Sequence, residues 1–160
     1  MRSLVNHEYS EVWDSFEKKF SFRPSVNGPF PAIKEPKDSI TFLLALDYDG
    51  HMIDELRNLI FSTLAECAAE VQEFFYLDWQ HECYTLDVKT ATDFWINCFP
   101  DGDYAILLSK DMRIGTFGHP WEHSICFFGE AFANAIVKQK PAILEKVIRN
   151  SGGYYLPETV

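Results

Sequence analysis

The sequence predicts an α+β fold: a largely antiparallel sheet of four to six strands with helices packed on one face. Three observations lead there. Hydrophobic residues make up 47% of the chain and aromatics 16%, enough for an extensive core and far from the composition of a disordered chain. The apolar spacing changes from a helical period of about 3.6 in the N-terminal half to a period of two further on. Helix-like and strand-like stretches also come in runs rather than in strict alternation, which separates an α+β arrangement from a doubly wound parallel sheet. With 160 residues, a single domain spanning 1–160 is expected.

From Glu11 to Phe20, Val12, Trp13, Phe16 and Phe20 share one helical face while Glu11, Asp14, Glu17, Lys18 and Lys19 fall elsewhere. The next stretch, RPSVNGPFPAIKEP, carries four prolines and a glycine. Proline removes a backbone donor and fixes φ, so this reads as a loop. Ser39 to Leu46 (SITFLLAL) is an apolar, β-rich run ending at the turn residues DYDG, as expected of a central strand buried on both faces. Helical spacing returns from Met52 to about Phe75 through Ile53, Leu56, Leu59, Ile60, Leu64, Ala68 and Val71, with Asp54 and Glu55 in the first turn.

After this long helix, WQHECYTLD, DFWINCF, YAILLSKD and HSICFFG read as consecutive strands. KTAT, PDGD and RIGTFGHP separate them as turns. Glu130 to Lys140 resumes helical spacing, Pro141 interrupts it, Ala142 to Arg149 continues it, and Gly152-Gly153 ends it.

Charge narrows the functional classes. Fourteen Lys plus Arg against twenty-four Asp plus Glu give a net charge of −10. Such a surface repels phosphate backbones and anionic headgroups, so no direct nucleic-acid or membrane binding is expected, and a basic protein is the favoured partner. Cys67, Cys83, Cys98 and Cys126 form no C-x-x-C pair and sit among apolar neighbours, as buried thiols of a reducing compartment do. The N-terminus MRSLVNHEYSEVW has no apolar signal region, and no apolar run approaches the roughly 20 residues needed to span a bilayer. A cytoplasmic protein is expected.

Three motifs invite a catalytic reading. Gly118-His119-Pro120-Trp121-Glu122-His123 contains H-x-x-E-H, the spacing of an inverted zinc-peptidase motif. Zinc chemistry needs both histidines and the glutamate on one helix, yet Pro120 could only begin a helix and Ser124 to Phe128 turns β-like. Gly118, His119, Pro120, Trp121 and Glu122 are therefore expected to form a structural corner with Trp121 anchored in the core. No third ligand is demanded by spacing, whether from Glu130 or from His81 and Cys83. PDGD, with Asp101 and Asp103, could offer two carboxylates to a cation but matches turn chemistry better. No metal or cofactor is expected.

The third motif is FLLALDYDG, a hydrophobic strand ending in D-x-D-G. It resembles the first motif of haloacid-dehalogenase-type phosphatases, which implies Asp47 as nucleophile and Asp49 as acid/base. His51 departs from that pattern, and no later segment supplies the family's Ser/Thr, Lys and paired acidic ligands in order. A loop and helix cap built from Asp47, Asp49 and Gly50 is the simpler reading.

DWQHECY (Asp78 to Tyr84), PDGDYAILLSKD (Pro100 to Asp111) and GTFGHPWEHSICFFGE (Gly115 to Glu130) together resemble an uncharacterised bacterial family, domain of unknown function 2716, over much of the C-terminal half. The resemblance implies that GHPWE and ICFFG are family hallmarks, and it brings no established catalytic residues. The reading it leaves is a non-enzymatic cytosolic immunity protein that binds and neutralises a cationic toxin domain such as a nuclease. Asp47, Asp49, Asp54, Glu55, Asp101 and Asp103 are its candidate contact residues. The alternative is a small metal-dependent hydrolase or phosphatase using Asp47 and Asp49.

Overall fold

The computed structural model describes residues 1–68, 70, 73–91 and 96–157. Its centre is one sheet in which every paired strand runs antiparallel to its neighbours. In chain order the elements are β1 (Arg2–Ser3), α1 (Asn6–Phe20), β2 (Ser39–Leu44), α2 (Gly50–Cys67), β3 (Phe74–Asp78), β4 (Tyr84–Leu86), β5 (Ala105–Ser109), β6 (Gly115–His119), β7 (Ser124–Phe128), α3 (Glu130–Gln139) and β8 (Leu144–Asn150). Across the sheet the order is β1-β4-β3-β5-β6-β7-β2-β8. The class is as expected, but the described sheet has eight strands rather than four to six.

Successive side chains of a strand point to opposite faces, and here both faces are apolar. Ile40, Phe42, Leu44, Phe74, Tyr76, Leu107, Ile125 and Phe127 meet Leu56, Ile60 and Leu64 of α2 and Phe132, Ile136 and Val137 of α3. Their neighbours in sequence, Phe75, Leu77, Ile106, Leu108, Cys126 and Phe128, join Val12, Trp13, Phe16 and Phe20 of α1 and Phe22, Ala32 and Ile33 of the proline-rich loop. The helices therefore cover both faces, not one. α1 is the element that makes the difference, because its amphipathic stripe needs a partner and the face away from α2 and α3 supplies one.

The boundaries differ from expectation for identifiable reasons. The long helix stops at Cys67, and Phe74 and Phe75 belong to β3, where they serve opposite faces; Val71 lies outside the described residues. Of WQHECYTLD only Tyr84–Leu86 pairs as a strand. In DFWINCF, residues 93–95 lie outside the described residues, and Ile96, Cys98 and Phe99 are buried without forming a strand.

RIGTFGHP holds strand β6 rather than a turn. Its glycines are there for close approach: a Cβ at Gly115 would strike the Leu107 carbonyl, and one at Gly118 would come within 3.0 Å of Pro100.

Ala142 to Arg149 lies in and before strand β8, not in a helix. Register shifts between Thr41 and Phe42 and between Leu43 and Leu44 pair Leu144 with Leu44 and Val147 with Phe42. A bulge thus puts residues three apart on one sheet face, which imitates helical spacing. Among the described residues, no helix is long and apolar enough to cross a membrane.

Phe127, fully buried in β7, sits between Phe42 (ring centroids 6.1 Å apart) and Phe132 (6.0 Å). Phe127→Ala is expected to destabilise the fold by about 3–5 kcal/mol, read from urea melts; a loss below about 1 kcal/mol would mean that the two helices on this face do not pack as described.

Candidate functional site

The pairing register sends a set of loops out of one end of the sheet. Leu43 pairs with Ser124 and Ser124 with His119, so β2 ends where β7 begins and β6 ends. Ala105 pairs with Gly118 and with Asp78, so β5 begins and β3 ends at the same level. The segments 45–49, 78–83, 99–104 and 119–123 all leave from this end.

The 119–123 corner joins β6 to β7, and its polar groups are occupied by local partners. His119 is the last residue of β6 and is 1% exposed. Its Nδ1 accepts a hydrogen bond from the Glu122 amide at 3.2 Å, which places the ring proton on Nε2. Nε2 is buried without a hydrogen-bond partner, with the rings of Phe30 and Tyr104 set edge-on at 4.7 and 5.0 Å. Burial pulls the His119 pKa down to about 4, so the imidazole is neutral near pH 7. His123 turns away at φ 56°, its Nε2 lying 3.3 Å from the Ala45 carbonyl.

Glu122 is committed elsewhere. Arg149 donates to both its carboxylate oxygens at 2.7 Å, and Ser124 Oγ donates to it at 2.6 Å. Burial alone would push this carboxyl up, but the bonds from Arg149 and Ser124 outweigh it and hold the group below its ordinary range. Arg149 also donates to Glu35 at 2.9 Å, and Thr41 Oγ1 donates to Glu35 at 2.7 Å. Glu35, Arg149 and Glu122 form a largely buried ion triad joining the proline-rich loop, β8 and the corner. The two histidines and the glutamate of H-x-x-E-H thus each have a separate partner and do not converge. Trp121 is half-buried, packed edge-on against Tyr104 at 5.2 Å, so it roofs the second core rather than anchoring within it.

Asp49 caps α2, accepting from the Met52 amide at 2.9 Å, as the loop-and-cap reading expects. β2 runs antiparallel to both of its neighbours, unlike the parallel strand that carries the D-x-D motif in a doubly wound sheet. Asp47 lies with Asp49 in segment 45–49, exposed. Asp101 and Asp103 flank Gly102, whose φ is +75°; the segment bends into β5 rather than closing a hairpin, because Ile96 to Phe99 forms no strand. The aromatic rings join these segments: Tyr48 packs on Phe99 at 4.6 Å and lies 6.3 Å from His123. Asp54 and Glu55 sit further along α2, with Asp54 paired to Arg57 at 3.0 Å.

One group at this end went unrecognised in the sequence. Asp78, His81 and Asp103 bring one ligand atom each within 4.8 Å of one another. They line a cleft of about 360 Å³ together with Tyr76, Asn97 and Phe99. Asp78 Oδ1 accepts from the Gln80 amide at 3.1 Å and from His81 Nδ1 at 2.9 Å. Asp103 Oδ1 accepts from the Tyr104 amide at 2.7 Å, while Oδ2 is buried with no hydrogen-bond partner. Burial, and then the neighbouring Asp78 carboxylate, push the Asp103 carboxyl up.

The D-x-x-H spacing in DWQHE was the available signal, but its third member lies far along the chain. Cys83 is not part of this group: its Sγ donates to the Asp78 carbonyl at 3.4 Å. All four cysteines are free, three of them buried, and burial pushes the Cys98 thiol up to about 12.

Residues 3–133 match the model of the family described as "Protein of unknown function (DUF2716)", and the chain belongs to that family. The match reaches well upstream of Asp78, where the resemblance read from the sequence begins, and stops within α3 before the strand that supplies Arg149. The chain is also similar to the uncharacterized protein YxiI of Bacillus subtilis (strain 168), 23% identical over 154 residues that cover 89% of this chain and 95% of that protein. No solved structure matches.

The His119 environment sets a pH dependence. Its folded pKa of about 4 lies below the ordinary 6.5, so the unfolded chain takes up the proton first as pH falls. Its contribution to stability is complete above about pH 6.5 and is lost toward pH 4, a total of about 3 kcal/mol. Urea melts across pH 7 to 4.5 are expected to show the loss beginning above the carboxylate range, and His119→Asn to flatten that first part. A wild-type profile flat from pH 7 to 5 would contradict the buried neutral imidazole.

Proposed function

We propose that this protein is a non-enzymatic binding protein, a cytoplasmic immunity protein that neutralises a basic toxin domain such as a nuclease by holding it against the acidic end of the sheet. The observation that carries this reading is the convergence there of Asp47, Asp49, Asp78, Glu82, Asp101 and Asp103 from three segments distant in sequence. Segments 45–49, 78–83 and 99–103 contain no Lys or Arg, so the local field has one sign. Asp54 and Glu55 extend that field along α2, Asp54 less so because of Arg57.

Exposed apolar side chains lie within the same acidic segments: Leu46 is 82% exposed, Trp79 40% and Tyr48 37%. Carboxylates steer a cationic partner and speed encounter, while aromatic groups that become buried hold it. The combination suits a basic protein surface better than nucleic acid, whose phosphates the same field repels.

The test co-expresses this protein with a candidate toxin domain encoded by the adjacent gene and follows growth, then measures the complex in vitro. Protection and nanomolar binding are expected. The association rate should fall at least about tenfold between about 50 and 500 mM salt. Asp47→Lys with Asp101→Lys should slow association, and Trp79→Ala should speed dissociation. Failure both to protect and to bind removes the proposal for that pair, and protection without binding points to an enzyme acting on the toxin's product.

A further inference from the structure

We propose that Asp78, His81 and Asp103 form a binding site for one divalent transition-metal cation of the zinc and manganese class. The inference does not rest on the toxin-binding reading, although Asp78 and Asp103 serve in both: its test is metal binding by the isolated protein.

The fold itself puts the two carboxylates together. Asp78 ends β3 and pairs with Ala105, the first residue of β5, and Asp103 lies two residues before it. Adjacent antiparallel strands therefore deliver two acids side by side, and the bend after Asp78 returns His81 to the same spot. The three ligand atoms are within 4.8 Å of one another.

No Lys or Arg lines the cleft. Among the described residues, Asp78 has His81 as its ion-pair partner and Asp103 has none. Asp103 Oδ1 is satisfied by the Tyr104 amide, but Oδ2 is shut off from solvent with no donor. A buried carboxylate oxygen without a donor is costly, and a cation placed between Asp103, Asp78 and His81 would remove that cost.

The donor set selects the ion. Two carboxylates and one imidazole suit borderline first-row cations, whereas calcium takes six to eight oxygens and magnesium prefers oxygen ligands and keeps its waters. Three protein ligands with an open fourth position match a tetrahedral zinc site, and the cleft of about 360 Å³ leaves room for water.

Ligands about 2.1 Å from a shared metal stand about 3.4 Å apart, so the His81–Asp78 pair must open from 2.9 Å while the longer separations close. His81 can adjust, since its side chain is 71% exposed. This site departs from the sequence-level expectation of no metal, which weighed PDGD and His81 separately.

The competing arrangement is a proton shared by the two carboxyls, and a metal titration separates the two. Chelator-stripped protein is titrated calorimetrically with zinc, then manganese, then magnesium. Zinc is expected to bind one per chain, manganese more weakly in line with the general affinity order, and magnesium not measurably.

His81→Ala removes an exposed side chain and so should leave the fold intact, while weakening zinc at least about tenfold. Asp103→Asn should do the same, and His7→Ala should bind as the wild type does. Absence of saturable zinc binding, or equal affinity in wild type and His81→Ala, overturns the proposal.

Discussion

Burial of both sheet faces is the constraint on which the rest depends. Once α1 and the proline-rich loop cover one side and α2 and α3 the other, the central strands have no free face for a ligand. Their alternation is spent on packing: Ile106 serves one core and Leu107 the other. Polar chemistry is displaced to the strand ends. In an antiparallel sheet each end collects loops that are far apart in sequence, which is how Asp47, Asp78 and Asp103 come to share one edge.

That end is held in place by the corner after β6. The Gly118 backbone admits Pro100 closely enough to set the 99–104 segment, and His123 faces the Ala45 carbonyl of the neighbouring segment. Behind them, Arg149 ties Glu122 to Glu35 across three parts of the chain. Removing one member of such a buried set leaves an uncompensated charge, typically a loss of about 3–5 kcal/mol. The polar groups of Gly118 to Glu122 are thus accounted for by local packing and pairing, while Asp47 and Asp101 beside them stay exposed.

Much of the fold was legible. The aromatic stripe of α1, the doubly buried β2 and the strands YAILLSKD and HSICFFG are direct consequences of local spacing. The misreadings share a cause: local pattern was overridden by pairing that local sequence does not contain. Gly115 and Gly118 look like turn residues but serve close packing in β6, and Leu144 and Val147 look helical because a bulge in the β2–β8 register aligns them.

The site was legible only in pieces. Asp103 was recognised as acidic turn chemistry and His81 as an unassigned imidazole. Their meeting depends on the β3–β5 ladder, which joins segments whose spacing carries no periodic signal. Trp121 shows the converse, since its bulk suggested the core while its place at a strand end leaves it half-buried.

The central claim is that function resides at the sheet end formed by segments 45–49, 78–83 and 99–103. The most direct measurement is an amide NMR perturbation map of the labelled protein titrated with the proposed basic partner, a candidate toxin domain encoded by the adjacent gene. Shifts and broadening concentrated in these three segments, with the exposed backs of α1 and α3 and strand β8 unmoved, are the predicted result. Perturbations centred on α1, α3 or the proline-rich loop, with these segments silent, would contradict the account.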